Sequence, residues 1–304
     1  MARLIARLVP RRIMRNRRFF PLWQEHGYHV TPVHHYQPIP DTRTLRDDLW
    51  CRPSQLVGID MNEARQLELL ATFSSKFKAE YDAFPTTPTP VPHQYYLAQD
   101  MFRSVDAEIL YCMIRHFRPR RIIEIGSGFS TYLAAQALCR NQQEDQARCE
   151  LIAVEPHPNE VLKAGFPSLT ELRTTRVQDV PLSEFESLAE NDILFIDSSH
   201  VATIGSDVQY EYLEIIPRLH KGVLIHAHDI WLPAEYPKDW VLDKCRFWNE
   251  QYLLAAFLAF NDSFEVLWAS CHMHLCHPEK LKAAFRSYQG NAEVPVSFWL
   301  RRTK

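Results

Sequence analysis

From residue 94 onward, short apolar runs alternate with stretches of helical pattern, and this alternation restricts the fold more than any other feature. The runs are RIIEI (121–125), ELIAVE (150–155), a third near 171–177, DILFID (192–197) and GVLIHAHD (222–229). Helices are expected over roughly 99–117, 130–140, 206–218 and 241–259. FEVLWA (264–269) and VSFWLRR (296–302) read as late strands. Apolar strands joined by helices build a mostly parallel sheet covered on both faces. Such a sheet binds ligands at the carboxyl ends of its strands. Residues 94–304 are therefore expected to form the α/β core, with residues 1–93 as an N-terminal extension. Pro-rich FPTTPTPVP (84–92) is the connector between them.

The extension opens on a basic stretch. Seven of the 34 basic residues (Arg3, Arg7, Arg11, Arg12, Arg15, Arg17 and Arg18) lie in the first 18 positions, which hold no acid. The rest of the chain then carries 27 basic against 37 acidic residues, a net −10. An acidic body disfavours nucleic acid as a partner. Residues 1–18 suit peripheral contact with an anionic membrane, a targeting role or a solvated terminus. No run of ~18 uncharged apolar residues occurs, so no spanning helix is expected. Seven cysteines without a CxxC pair suggest reduced thiols and a cytoplasmic location. CHMHLCH (271–277) fits no standard zinc spacing and reads as the end of a strand.

The first strand runs into Glu124-Ile125-Gly126-Ser127-Gly128-Phe129-Ser130-Thr131. Glycines here allow a sharp turn and close approach to a ligand. A dinucleotide fingerprint would want glycine where Thr131 stands. Glu124, two residues before the first glycine, would repel a pyrophosphate and attract an ammonium or sulfonium. Glu155 ends the second strand, where a carboxylate can accept both ribose hydroxyls. Asp179 follows the third strand and is a candidate for an adenine amino group or for a helix cap.

The run EIGSGFST, with VEP and FIDSSH in that order and spacing, resembles the class I S-adenosylmethionine-dependent methyltransferases over about 94–304. The resemblance implies a Rossmann-like seven-stranded sheet with its last strand antiparallel. It implies that Glu124, Gly126, Ser127, Gly128 and Ser130 surround the methionine part of the cofactor, and that Glu155 holds the ribose.

At the ends of the fourth and fifth strands stand Asp197-Ser198-Ser199-His200 and His226-Ala227-His228-Asp229. Neighbouring strand ends lie ~5 Å apart, so these groups can share one cleft. Carboxylates with imidazole suit a divalent metal, and Asp197, His228 and Asp229 are the expected ligands for Mg, Mn or Fe. His200 is the expected general base, although it could instead cap a helix. The pattern is similar to that of metal-dependent O-methyltransferases for small molecules, with His228 standing where an acid is usual. A small molecule or sugar hydroxyl is the expected acceptor. Metal-independent N- or O-methylation remains the alternative, with His226 and His228 as polar walls. An NAD-linked oxidoreductase is disfavoured by Glu124, and a membrane-docked scaffold by the intact acidic pair. Neither the acceptor nor the oligomeric state is written in the sequence.

Overall fold

In the computed structural model, residues 16–304 are described. The basic opening stretch lies outside them up to residue 15. Two compact units divide the chain: one gathers Pro53–Tyr236 with Trp248–Lys304, the other the residues up to Arg52 with Pro237–Phe247. In the smaller unit, helix Phe20–Glu25 is followed by single helical turns at Thr42–Thr44 and Asp47–Trp50. There Lys238 pairs with Asp47 at 2.7 Å and sits over the Trp50 ring.

The larger unit is built on a seven-stranded sheet. Its strands are β1 (Arg121–Ile125), β2 (Glu150–Val154), β3 (Leu169–Arg173), β4 (Ile193–Ile196), β5 (Leu224–Ala227), β6 (Phe264–Ala269) and β7 (Phe298–Arg302). Their order is β3-β2-β1-β4-β5-β7-β6. β1 to β5 pair in parallel, and β7 runs antiparallel to both β5 and β6. This is the mostly parallel sheet that the alternating pattern implies, in the seven-stranded Rossmann-like form that the resemblance implies. Side chains alternate across each strand. Ile122, Ile193, Phe195 and Leu224 enter one core layer, while Ile123, Ile125, Leu194, Ile196 and Ile225 enter the other. The first layer is covered by α1 (Glu63–Tyr81), α2 (Asp106–Phe117) and α3 (Phe129–Asp145). The second is covered in part by α4 (Asp207–Tyr210), the π turn Glu211–Ile215 and α5 (Glu250–Leu258).

Four expected elements differ. The helix over 99–117 begins only at Asp106. The Gln99 side-chain oxygen accepts from the amides of Met101 and Phe102, and Tyr95 donates to the Phe102 carbonyl, so this stretch is a side-chain-held turn. The third strand lies at Leu169–Arg173, registered against β2, rather than at 171–177. The helix over 241–259 divides: one short helix ends at Leu242, and α5 starts afresh at Glu250. CHMHLCH is not a strand end but most of a helix, α6 (Ser270–Cys276). β6 runs out of partner at Ala269↔Phe298, and Ser270 turns the chain by donating to Asp106 and accepting from Trp268 Nε1.

Helical spacing then buries Cys271 and His274 on one side of α6. His272 and His277 turn towards the Glu63 carboxylate, at 3.7 and 3.0 Å. No helix among the described residues is long and apolar enough to cross a membrane.

Candidate active site

The ends of β1, β2 and β4 are tied together by backbone. Gly126 N–H donates to Val154 O at 3.0 Å, and Asp197 N–H donates to Ile125 O at 2.9 Å. Gly126 has φ +78°, and a Cβ there would lie 1.9 Å from the Asp197 carbonyl oxygen. Only glycine allows β4 to pass so close to the turn. Gly128 has an extended backbone, with open space where a Cβ would stand. Its amide donates to Thr131 Oγ1, which starts α3.

Two carboxyls bracket this loop. Glu155 accepts from the amides of Ser127 (3.2 Å) and His157 (2.7 Å), so it spans the turns after β1 and β2. A carboxylate offers about four acceptor positions, which leaves capacity for ligand hydroxyls. Glu124 is buried, and its Oε1 accepts from Ser130 Oγ at 2.6 Å. Its Oε2 and the Ser127 hydroxyl are both buried without a hydrogen-bond partner. Burial pushes the Glu124 carboxyl up to about 8, against the pull of the Ser130 and Thr131 hydroxyls. An unpaired buried carboxyl costs free energy until a donor or a cation meets it. This donor set fits a ligand carrying an ammonium group. Asp179 stands differently: Arg176 holds its carboxylate at 3.0 Å within the turn Val177–Asp179.

At the ends of β4 and β5, Asp197, His200 and Asp229 converge. One ligand atom from each lies within 4.8 Å of the others. His200 Nε2 is 3.4 Å from Asp197 Oδ1 and 3.5 Å from Asp229 Oδ2. His200 and Asp229 both have left-handed backbones, with φ +61° and +55°. Such strain in non-glycine residues clusters at functional sites. Burial alone would lower the His200 pKa, but Asp197 and Glu250 outweigh it and raise the pKa well above the usual value. Burial would raise Asp197, but the His228 and His200 imidazoles hold it below the usual range. Asp229 is raised by burial, which those same imidazoles only partly offset.

His228, expected as a ligand, is not in this trio, and His200 occupies the place instead. His226 on β5 and His228 just past its end follow the same alternation. His226 stacks on Phe195 at 3.9 Å and bonds to Ser297 Oγ, as a core residue. His228 lies buried 4.9 Å from Phe102, while Asp229 leaves the strand.

The sequence reading missed Glu250, Tyr212 and Trp248. Glu250 Oε2 accepts from His200 Nδ1 at 2.8 Å, and its Oε1 accepts from the Tyr212 hydroxyl at 2.9 Å. Trp248 packs on the imidazole with ring centres 4.3 Å apart. One signal was available: an acid opening the otherwise apolar helix EQYLLAAFL. A separate cavity of about 820 Å³, lined by Arg120, Arg148, Thr170 and Asp192, lies at the amino ends of the strands and away from these groups.

Residues 123–230 match the family model described as a methyltransferase domain. An uncharacterised protein of Archaeoglobus fulgidus is 35% identical over 180 residues, which cover 56% of this chain and 78% of that protein. Residues 123–230 are thus a methyltransferase domain, built on the Rossmann-like sheet described above. Two solved structures of CmcI, one apo and one with Mg and SAM, are 14% and 15% identical to this methyltransferase. Each covers 72% of it, and it covers 89% and 90% of theirs, with TM-scores of 0.38 and 0.33. A putative protein-L-isoaspartate O-methyltransferase of Plasmodium falciparum reaches 0.29 at 13% identity, covering 54% of this chain and 75% of its own. Likeness of that degree is too slight to argue from.

Proposed function

We propose that this methyltransferase acts on a hydroxyl of a small molecule or sugar, with a divalent cation at Asp197 and Asp229 and His200 as general base. The observation that carries the reading is the convergence of two carboxylates and one imidazole at the ends of β4 and β5, beside the glycine loop. The two carboxylates are oxygen donors that fit Mg, Mn or Fe. A divalent cation held there would lower the pKa of a bound hydroxyl and offset the carboxylate field that keeps His200 protonated.

The protein's own groups supply the rest. In this reading Glu124 Oε2 and the Ser127 hydroxyl receive the ammonium end of the cofactor. Gly126 lets the turn pass Asp197, Gly128 leaves room for the cofactor's chain, Ser130 fixes Glu124, and Glu155 takes the ribose hydroxyls. His200 Nε2 accepts the proton of the acceptor hydroxyl, and its charge is met by Glu250 through Nδ1. The sulfonium is already activated, so alignment and exclusion of water carry much of the rate.

A second reading is favoured by the near-equal distances of Nε2 from the two carboxylates: His200 is itself the third metal ligand. His200→Ala separates the two. As base, its loss should lower turnover by roughly 10²–10⁴-fold while Mn²⁺ and S-adenosylhomocysteine bind as before. As ligand, its loss should weaken Mn²⁺ binding itself. Unchanged turnover and unchanged Mn²⁺ binding would remove His200 from the site.

A further inference from the structure

We infer that residues 248–250, which lead into α5, are a clamp for the His200 imidazole, and that Glu250 is the positioning residue that fixes which ring nitrogen faces Asp197 and Asp229. The inference rests on the reading of His200 as the working imidazole, whether base or ligand. Three independent contacts build the clamp. The amides of Asn249 and Glu250 donate to the His200 carbonyl at 3.1 and 3.2 Å. The Trp248 ring covers one face of the imidazole. The Glu250 carboxylate accepts from Nδ1–H at 2.8 Å.

The same segment also holds the loop beyond His200, because the Ala202 amide donates to Asn249 Oδ1 at 2.6 Å. The left-handed backbone of His200 is thus held from both sides. Glu250 is fully buried, and Tyr212 fixes its other oxygen from the π turn Glu211–Ile215. Burying a carboxylate is costly unless it is fully bonded. Here both oxygens are engaged, one of them on the imidazole. A carboxylate on one ring nitrogen commits the other nitrogen to the reaction side.

The test is proton NMR of the metal-free full-length protein, with nitrogen-15 in the histidine rings. The wild type should show one far-downfield, slowly exchanging ring proton, absent from His200→Ala. In Glu250→Gln that proton should move upfield or vanish, while affinity for S-adenosylhomocysteine stays within about twofold. A Glu250→Gln spectrum that keeps the proton unshifted would overturn the inference, as would its absence from the wild type.

If Glu250→Gln fails to fold, Tyr212→Phe serves in its place. It frees Oε1 without touching His200 and should shift the same proton less far. No shift would again overturn the clamp. Failure of the catalytic reading shows elsewhere, as full turnover by His200→Ala, and leaves the proton measurement valid.

Discussion

Glu124 makes the clearest demand at the scale of single residues. Its carboxyl sits at about 8 because burial disfavours the charge. A folded pKa above the unfolded value stabilises the protonated form. That contribution to stability is full below the unfolded carboxyl pKa and is lost as pH rises through 8. A ligand ammonium beside Oε2 reverses the preference and draws the proton off. Binding of S-adenosylhomocysteine at neutral pH should therefore release a proton, and affinity should rise as pH climbs towards 8. Calorimetry in two buffers of different ionisation enthalpy counts the proton, and Glu124→Gln should abolish the count. A wild-type count of zero would place the ammonium elsewhere. Glu124, Gly126, Asp197 and Asp229 were legible because each occupies a fixed offset from a strand end. Glu250 was not, since it meets His200 across 50 residues of chain and only the folded sheet brings them together.

Elements were legible where periodicity alone decides them, and not where a side chain decides. Six of the seven strands follow from apolar runs, whereas β3, the partly exposed LTELR, is set by its pairing with β2. The late start of α2 and the turn from β6 into α6 depend on Gln99 and on Ser270. The role of α1 shows the same dependence. The helix lies within residues 1–93, the stretch expected as an N-terminal extension.

α1 buries Leu69, Leu70, Phe73, Phe77 and Tyr81 in the layer under the sheet. Its Glu80 pairs with the buried Arg115 at 2.9 Å and accepts from Tyr111 at 2.7 Å. Each such apolar side chain contributes ~1.5–3 kcal/mol. Five of them together match the ~5–15 kcal/mol that separates a folded domain from its unfolded chain. Leaving Arg115 without Glu80 adds to the loss. A chain cut to 53–304 should melt cooperatively and bind S-adenosylhomocysteine. A chain cut to 94–304 should show no cooperative melt in the same scan. A sharp transition from the shorter chain would show that the core closes without α1.

Charge is a property of the whole molecule, and here it is divided along the chain. The sheet brings together groups from residues 124 to 229, an arrangement that the order of the strands fixes. The distribution of arginine conveys something separate: seven positive charges in 18 residues joined to a body of net −10. An anionic lipid surface attracts each basic residue close to it by ~1 kcal/mol and repels an acidic body. The attraction falls within about 10 Å at 0.1 M salt, so it acts on a terminal segment before the body arrives. Apolar Leu4, Ile5, Leu8 and Val9 would add burial in the interface. The full chain should co-float with phosphatidylserine vesicles at low salt and be released at about 0.5 M, where the Debye length is only a few ångströms. A chain lacking residues 1–18 should stay in solution under both conditions while its affinity for S-adenosylhomocysteine is unchanged. Full-length protein that ignores the vesicles at low salt would reduce the arginines to a solvated terminus. Flotation that survives deletion would move the membrane contact onto the acidic body, where the charge balance argues against it.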